Sequence, residues 1–270
     1  SSDVCSSDLP RPPSTRAALA AAVTAARAAG ALMRANHFSP KRVNEATQHD
    51  IKLELDVRCQ KLIERTLRRA FPAIPILGEE GILGDPEAAV RWVVDPIDGT
   101  VNFSYGIPHA CVSIALQART RAGFRSLVGV VYDPFTDELW TAIRGGPARL
   151  NGTVVRPSQR RRLSDAVVSI GFSKSRSAME KTLPYFNWLA RRVRKIRMLG
   201  AAALGLTYVA SGRLDAYIER GINLWDVAAG GLIIECAGGK FWVEPLPGQL
   251  HRFRMVASNG PIHRQLPPPK

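Results

Sequence analysis

The sequence predicts an α+β fold in which helices pack against mixed β-sheets. Three observations point there. Helix-like and strand-like patterns are interleaved along the 270 residues. The strands in the middle follow one another as hairpin-like neighbours, unlike the βαβ crossovers of a simple doubly wound sheet. Hydrophobic residues make up 46% and charged residues 22% of the chain, the balance of a globular protein. That composition excludes a wholly disordered or fibrous chain. At roughly 150 residues per domain, the length allows one large domain or two fused halves.

The elements follow in order. Residues 1–14 are expected to be a disordered or non-native leader. They lack the basic stretch and apolar stretch of a signal peptide. Ala17 to Met33 reads as an amphipathic first helix, with Leu19, Val23, Ala26 and Met33 on one face. Arg27 and the shortage of large apolar residues argue against a membrane span. A polar loop is expected from Asn36 to Asp50. Leu55, Cys59, Leu62, Ile63, Thr66, Leu67 and Ala70 recur at helical spacing, and Phe71-Pro72 ends that helix. Ile74–Leu77, Trp92–Val94, Cys111–Leu116, Leu127–Val131 and Leu139–Ala142 read as strands, with turns at Asp133-Pro134 and Asn151-Gly152.

The second half mixes elements in the same way. Ala166–Ile170 is a strand and Ala178–Val193 a helix. Ala201–Ala210 is a helix of small residues ended by Gly212. Leu214–Ile218 is a strand, Asp226–Ala237 a helix ended by Gly238-Gly239, and Lys240–Val243 a strand. A frayed tail is expected after Leu266. The main domain is expected over 15–265, with halves of about 15–150 and 151–265. Cys5, Cys59, Cys111 and Cys236 form no CxxC pair, so they read as reduced thiols of a cytoplasmic protein.

The net charge of +14 favours an anionic partner. Two basic runs, Arg160–Arg162 and Arg191–Arg197, could suit nucleic acid. No recognised nucleic-acid module accompanies them and aromatics are not interleaved. The expectation is therefore a basic helix end complementing its dipole, with nucleic acid the lesser alternative and no membrane partner.

In so basic a chain, the carboxylates in apolar settings stand out. They fall in Gly78-Glu79-Glu80-Gly81, in Asp95-Pro96-Ile97-Asp98-Gly99-Thr100 and in Trp225-Asp226. Each alone reads as a loop, a turn or a helix cap. Together they suggest convergence. Asp95 follows an apolar strand, where an unpaired carboxylate is costly. Asp98 lies across a tight turn from it, Glu79 ends the preceding strand, and Asp226 opens a helix. Carboxylates without His or Cys suit a hard cation such as Mg²⁺. Gly99 and Thr100 open a turn whose N–H groups can hold a phosphate. Metal beside phosphate indicates phosphoryl chemistry.

At these residues the chain resembles the inositol monophosphatase family of Mg²⁺-dependent, lithium-sensitive phosphatases. Gly78-Glu79-Glu80 matches G-E-E. Asp95 to Thr100 matches D-P-[IL]-D-G-T. Trp225-Asp226 with Ala228, Ala229, Gly230 and Gly238-Gly239 matches W-D-x-A-A-G…G-G. The resemblance implies an αβαβα layered sandwich, commonly a homodimer. It implies a first Mg²⁺ on Glu79, Asp95 and the Ile97 carbonyl, a second on Asp95, Asp98 and Asp226, and a third, weaker ion near Glu79. Glu79 and Thr100 would activate the water, with Asp56 orienting Thr100. Gly99, Thr100, Ala202 and Glu219 would contact substrate, Glu219 through a hydroxyl. That implies hydrolysis of a polyol or sugar phosphate monoester, fructose 1,6-bisphosphate being the alternative, for which Arg197 or Arg220 would have to grip a second phosphate. Two departures stand out. Gly200-Ala201-Ala202-Ala203 lacks the hydroxyl of G-[ST]-A-A, and Leu53 replaces the usual Thr before Asp56, in a loop without the family's Lys.

Overall fold

Ser14 caps the first helix, α1 (Thr15–Ala35), its hydroxyl accepting the Ala17 N–H at 3.5 Å. The computed structural model describes residues 13–47, 51–172 and 176–269, so Cys5 and Asp50 lie outside the described residues. The buried face of α1 is an alanine stripe, Ala18, Ala22, Ala25, Ala26 and Ala29, continued by Met33. Leu19 and Val23, expected on the inner face, sit at its margins. Close approach explains the difference. A Cβ on Gly30 would lie 2.5 Å from the Tyr132 ring, so only small residues fit where helix meets sheet. Among the described residues α1 alone is long and apolar enough to cross a membrane, and its buried stripe is packed on the protein's own core.

The segment expected as one polar loop contains two strands, β1 (Val43–Ala46) and β2 (Ile51–Leu53), paired antiparallel. Every residue of β1 is exposed, so no alternation marks it. Helix α2 (Glu54–Ala70) buries Leu55, Cys59, Ile63 and Leu67, the expected stripe.

Eight strands then build the large sheet: β3 (Ile76–Gly78), β4 (Gly81–Leu83), β5 (Val90–Asp98), β6 (Cys111–Thr120), β7 (Gly123–Asp133), β8 (Glu138–Ile143), β9 (Arg149–Leu150) and β10 (Thr153–Val154). Helix α3 (Thr100–Ser104) follows β5. The spatial order is β10-β9-β8-β7-β6-β5-β3-β4, antiparallel except where β3 runs parallel to β5. Strand alternation divides the core. Trp92, Val94, Ile114, Leu116, Val130 and Tyr132 face α1 and α2. Val93, Cys111, Ala115, Val131 and Trp140 face the opposite side. The expected turns form: Asp133 Oδ1 accepts the Phe135 N–H at 2.8 Å, and Asn151 and Gly152 both take positive φ.

The second sheet comprises β11 (Val167–Ile170), β12 (Lys195–Arg197), β13 (Ala216–Asn223), β14 (Lys240–Pro245) and β15 (Arg252–Ser258), in the order β12-β11-β13-β15-β14. Between them run α4 (Arg176–Ala190), α5 (Ala202–Ala210) and α6 (Leu224–Ala237). Helices α5 and α6 share one core with an inner face of each sheet, and α4 covers the outer face of the second. The layers are α1/α2, large sheet, α5/α6, small sheet, α4: an αβαβα sandwich.

Two expectations are corrected. The basic run after α4 is not a helix end. The helix stops at Ala190, and Lys195–Arg197 form an edge strand parallel to β11. Likewise β13 does not stop at Ile218. It continues through Glu219 and Arg220 to Asn223, with a bulge between Arg220 and Ile222, because β15 supplies a partner across its whole length.

Candidate active site

Three elements deliver four carboxylates to one place where the two sheets meet α5 and α6. Strand β5 carries two. The expected turn at Pro96 is part of this strand, which bulges between Asp95 and Asp98 before resuming its pairing with β6. The bulge lets both acids reach one side: Asp95 Oδ1 accepts the Ile97 N–H at 3.1 Å, and Thr100 Oγ1 donates to the Ile97 carbonyl at 2.8 Å. Gly99 closes the strand at φ +90°, where a Cβ would lie 2.9 Å from the His109 carbonyl oxygen, so no larger residue fits.

Asp226 arrives from the second half of the chain. It is the third residue of α6, not its cap. Asn223 is the N-cap, and Asp226 Oδ2 accepts the Asn223 N–H at 2.8 Å. Ser113 on β6, opposite Asp95, donates to the Trp225 carbonyl at 3.1 Å and so fixes the start of α6 against β5. One ligand-capable oxygen from each of Asp95, Asp98 and Asp226 lies within 4.8 Å of the others.

Asp98 points at the start of α5. Its oxygens accept the Ala202 N–H at 3.0 Å and the Ala203 N–H at 2.7 Å, and Cys111 Sγ lies 3.5 Å away. These donors favour its charged form. Burial outweighs them and pushes the carboxyl up to about 6. Asp95 is driven well above the usual carboxylate range, first by burial and then by the charges of Glu79, Asp98 and Asp226. No Lys, Arg or His among the described residues pairs with Asp95 or Asp98. Buried like charges without a counter-charge are costly. An all-oxygen set with this unbalanced charge fits a hard divalent cation such as Mg²⁺.

Glu79 sits on the β3–β4 turn, half-buried, with its N–H on the Val94 carbonyl at 3.1 Å. Its charge acts on both Asp95 and Asp98. The turn is clamped by Gln60, which the sequence reading passed over. The Gln60 amide accepts the Glu80 N–H at 2.9 Å and donates to the Gly81 carbonyl at 3.1 Å. A Cβ on Gly78 would lie 2.3 Å from Gln60 Oε1, so any larger residue there would displace the Gln60 amide from the turn. A buried amide within the apolar stripe of α2 is the signal that could have revealed it. Asn102 was also missed. It donates to the His109 and Leu199 carbonyls at 2.9 and 2.8 Å, holding α3 to the segment before α5.

The remaining expected residues fall as follows. Asp56 is buried and caps α2, its Oδ2 accepting the Leu53 N–H at 2.7 Å. Glu219 and Tyr217 lie two residues apart on one face of β13, and the Tyr217 hydroxyl donates to Glu219 Oε2. Tyr217 feels the charges of Glu219, Asp98 and Asp226 after burial, which links this pair to the acid cluster. Gly171 leaves the space that the Glu219 carboxylate fills. Arg220 pairs across the sheet with Arg254, and Arg197 is exposed on the edge strand β12. The described cysteines Cys59, Cys111 and Cys236 are free thiols.

The pattern of the inositol monophosphatase family matches residues 15–259. The chain is 41% identical to Nus factor SuhB of Xylella fastidiosa over 220 residues, 80% of this chain and 78% of that one. It is 39% identical to inositol monophosphatase 2 of Solanum lycopersicum over 226 residues, 81% and 84% of the two chains. The crystal structure of the extragenic suppressor protein suhB from Bartonella henselae superposes with a TM-score of 0.85 at 34% identity, covering 93% of this chain and 96% of that one.

Proposed function

The chain belongs to the inositol monophosphatase family, and we propose that it is a Mg²⁺-dependent phosphatase hydrolysing a phosphate monoester of a polyol or sugar. The observation that carries this reading is the trio of buried Asp95 and Asp98 with half-buried Asp226, their oxygens within 4.8 Å of one another. Glu79, Asp95 and the Ile97 carbonyl would hold one Mg²⁺, and Asp95, Asp98 and Asp226 a second. A third, weaker ion would use Glu79. Bound there, Mg²⁺ would neutralise the charge of a phosphate dianion and make a water acidic enough to attack it.

The chain's own groups would do the rest. The N–H groups at Gly99 and Thr100, at the start of α3, would hold phosphate oxygens. Thr100 Oγ1 and the Glu79 carboxylate would position the attacking water, and Glu79 would take its proton. Asp56 would keep Thr100 or a neighbouring water in place. Ala202 would line the substrate side of Asp98. Glu219, steadied by Tyr217, would accept a hydrogen bond from a substrate hydroxyl, which favours a polyol over a plain aryl ester. A homodimer, a cytoplasmic location and inhibition by Li⁺ complete the reading. A panel of inositol 1-phosphate, fructose 1,6-bisphosphate and p-nitrophenyl phosphate, assayed with and without Mg²⁺, tests it. Mg²⁺-dependent phosphate release, fastest with the polyol ester, supports it; no release from any ester overturns it.

A second reading is favoured by the 41% identical relative named Nus factor SuhB. A role other than catalysis could reside on the same fold. The preference in the sequence reading against a nucleic-acid partner therefore does not stand.

A further inference from the structure

We propose that the protein binds single-stranded nucleic acid on a basic face formed by Arg160–Arg162 and Arg191–Arg197, at the end of the small sheet away from the carboxylates. The proposal stands on the placement of charge and is independent of the phosphatase reading.

The fold joins two runs that lie about 30 residues apart in sequence. Asp165 ties them: its carboxylate bonds Arg162 Nε at 2.9 Å and Arg194 Nη2 at 3.3 Å. The Arg194 N–H reaches the Ala166 carbonyl at 2.9 Å, and Lys195 lies opposite Val167. Segments 160–165 and 191–197 hold eight basic residues against one acid, so they carry +7, half of the net charge of +14. Buried Asp215 offsets Arg160 at 3.0 Å. Arg161, Arg191 and Lys195 are exposed and make no ion pair among the described residues. Such a concentration is no by-product of a uniformly basic surface.

The chemistry of the face favours phosphodiesters. Seven of the eight are arginines, whose planar fork matches phosphate oxygens better than a lysine ammonium does. A ring is also present. Half-buried Trp188 at the end of α4 lies 4.8 Å below the Arg192 guanidinium, and an aromatic beside a cationic track suits an unpaired base. The centre of the face is β12, the edge strand of the small sheet, whose residues Lys195 and Arg197 are exposed.

The part of the face at Arg160–Arg162 and Arg191–Lys195 is separate from the acid cluster, whereas Arg197, opposite Ser169, lies nearer to it. Strand β11 begins at Val167, beside Lys195, and leads to Gly171, beside Glu219. Four residues of strand span roughly 13 Å. The two sites can therefore be altered independently.

The test is fluorescence anisotropy of a fluorescein-labelled 20-nucleotide oligouridylate titrated with the full chain at 50, 100 and 200 mM KCl. Four phosphate contacts give a log–log salt slope near −3 and roughly a fifty-fold loss of affinity across that range. The variant R161A/R191A/K195A should bind at least about tenfold more weakly, with a slope shallower by about 2, while its thermal unfolding and its hydrolysis of p-nitrophenyl phosphate stay as in the unaltered protein. Parallel titrations use phosphatidylserine vesicles and poly-glutamate. No binding of the oligonucleotide at 50 mM KCl, equal binding by the variant, or binding only to vesicles or poly-glutamate overturns the proposal.

Discussion

Replacing Asp95 by Asn should make the metal-free protein more stable and the Mg²⁺-loaded protein less stable. Asp95 is buried beside Asp98 and Asp226, with oxygens within 4.8 Å. Two unit charges at that distance repel by about 3.5 kcal/mol at an effective dielectric of ~20. Protonation limits the cost. Asp98, carried from 3.8 to about 6, pays about 3 kcal/mol for its charged form. The amide keeps an oxygen for the Ile97 N–H but loses the charge assistance, about 1 kcal/mol. Asp95→Asn should therefore stabilise the metal-free fold at pH 8 by about 1–3 kcal/mol, roughly 3–10 °C in Tm for a chain of this size.

The sign with pH follows from the direction of the shifts. The folded acids hold protons that the unfolded chain has released, so metal-free stability falls as pH rises from about 3.8 through about 6 and beyond. The advantage of the variant should shrink as pH falls and vanish below about pH 4. Calorimetric unfolding of EDTA-treated protein at pH 8 and pH 5, repeated with 10 mM Mg²⁺ (roughly saturating for such sites), measures all of this. If the variant is destabilised equally at both pH values in EDTA, the carboxylates do not repel one another and the reasoning fails.

Three further outcomes are expected. Gln60→Ala frees the turn that carries Glu79. It should cost about 1–3 kcal/mol in stability and raise several-fold the Mg²⁺ concentration for half-maximal activity; an unchanged Mg²⁺ requirement would remove Gln60 from the site's support. Glu219→Gln keeps an oxygen for the Tyr217 hydroxyl, so the fold should persist. KM for a polyol monophosphate should rise roughly ten- to hundred-fold while that for an aryl phosphate barely moves; equal losses on both substrates would make Glu219 structural. Millimolar Li⁺, and excess Mg²⁺, should inhibit phosphate release, as steady-state assays would show; insensitivity to Li⁺ would separate this chain from the lithium-sensitive branch.

The long helices and the central hairpins were legible because their apolar periods are strong. Leu55, Cys59, Ile63 and Leu67 mark α2, and largely apolar runs mark β6 and β7. What escaped notice had weak local signals. Strand β1 is exposed throughout. Strand β15 begins Arg252-Phe253-Arg254, and β12 is Lys195-Ile196-Arg197. Each becomes a strand through the backbone of a neighbour, β2 for β1, β13 and β14 for β15, and β11 for β12, and not through its own pattern. Pro96 suggested a turn, yet β5 continues past it because the bulge accommodates a residue lacking an N–H. The acidic motifs were legible as residues, since Asp95, Asp98 and Asp226 sit in apolar settings. The groups that hold them were not. Gln60 reaches a turn about 20 residues away, and Ser113 reaches the Trp225 carbonyl more than 100 residues away. Such partnerships exist only once the sheet has folded.

On the proposed function, Asp95, Asp98 and Asp226 form a metal centre that hydrolyses phosphate monoesters. The most direct test is a calorimetric Mg²⁺ titration of EDTA-stripped protein, with phosphate release from inositol 1-phosphate measured on the same samples, for the unaltered chain and for Asp95→Asn and Asp98→Asn. The account predicts saturable Mg²⁺ binding and Mg²⁺-dependent release in the unaltered chain. In each variant it predicts loss of a binding event and less than about a tenth of the activity. Undiminished Mg²⁺ binding in both variants, or turnover that persists without Mg²⁺, would contradict it.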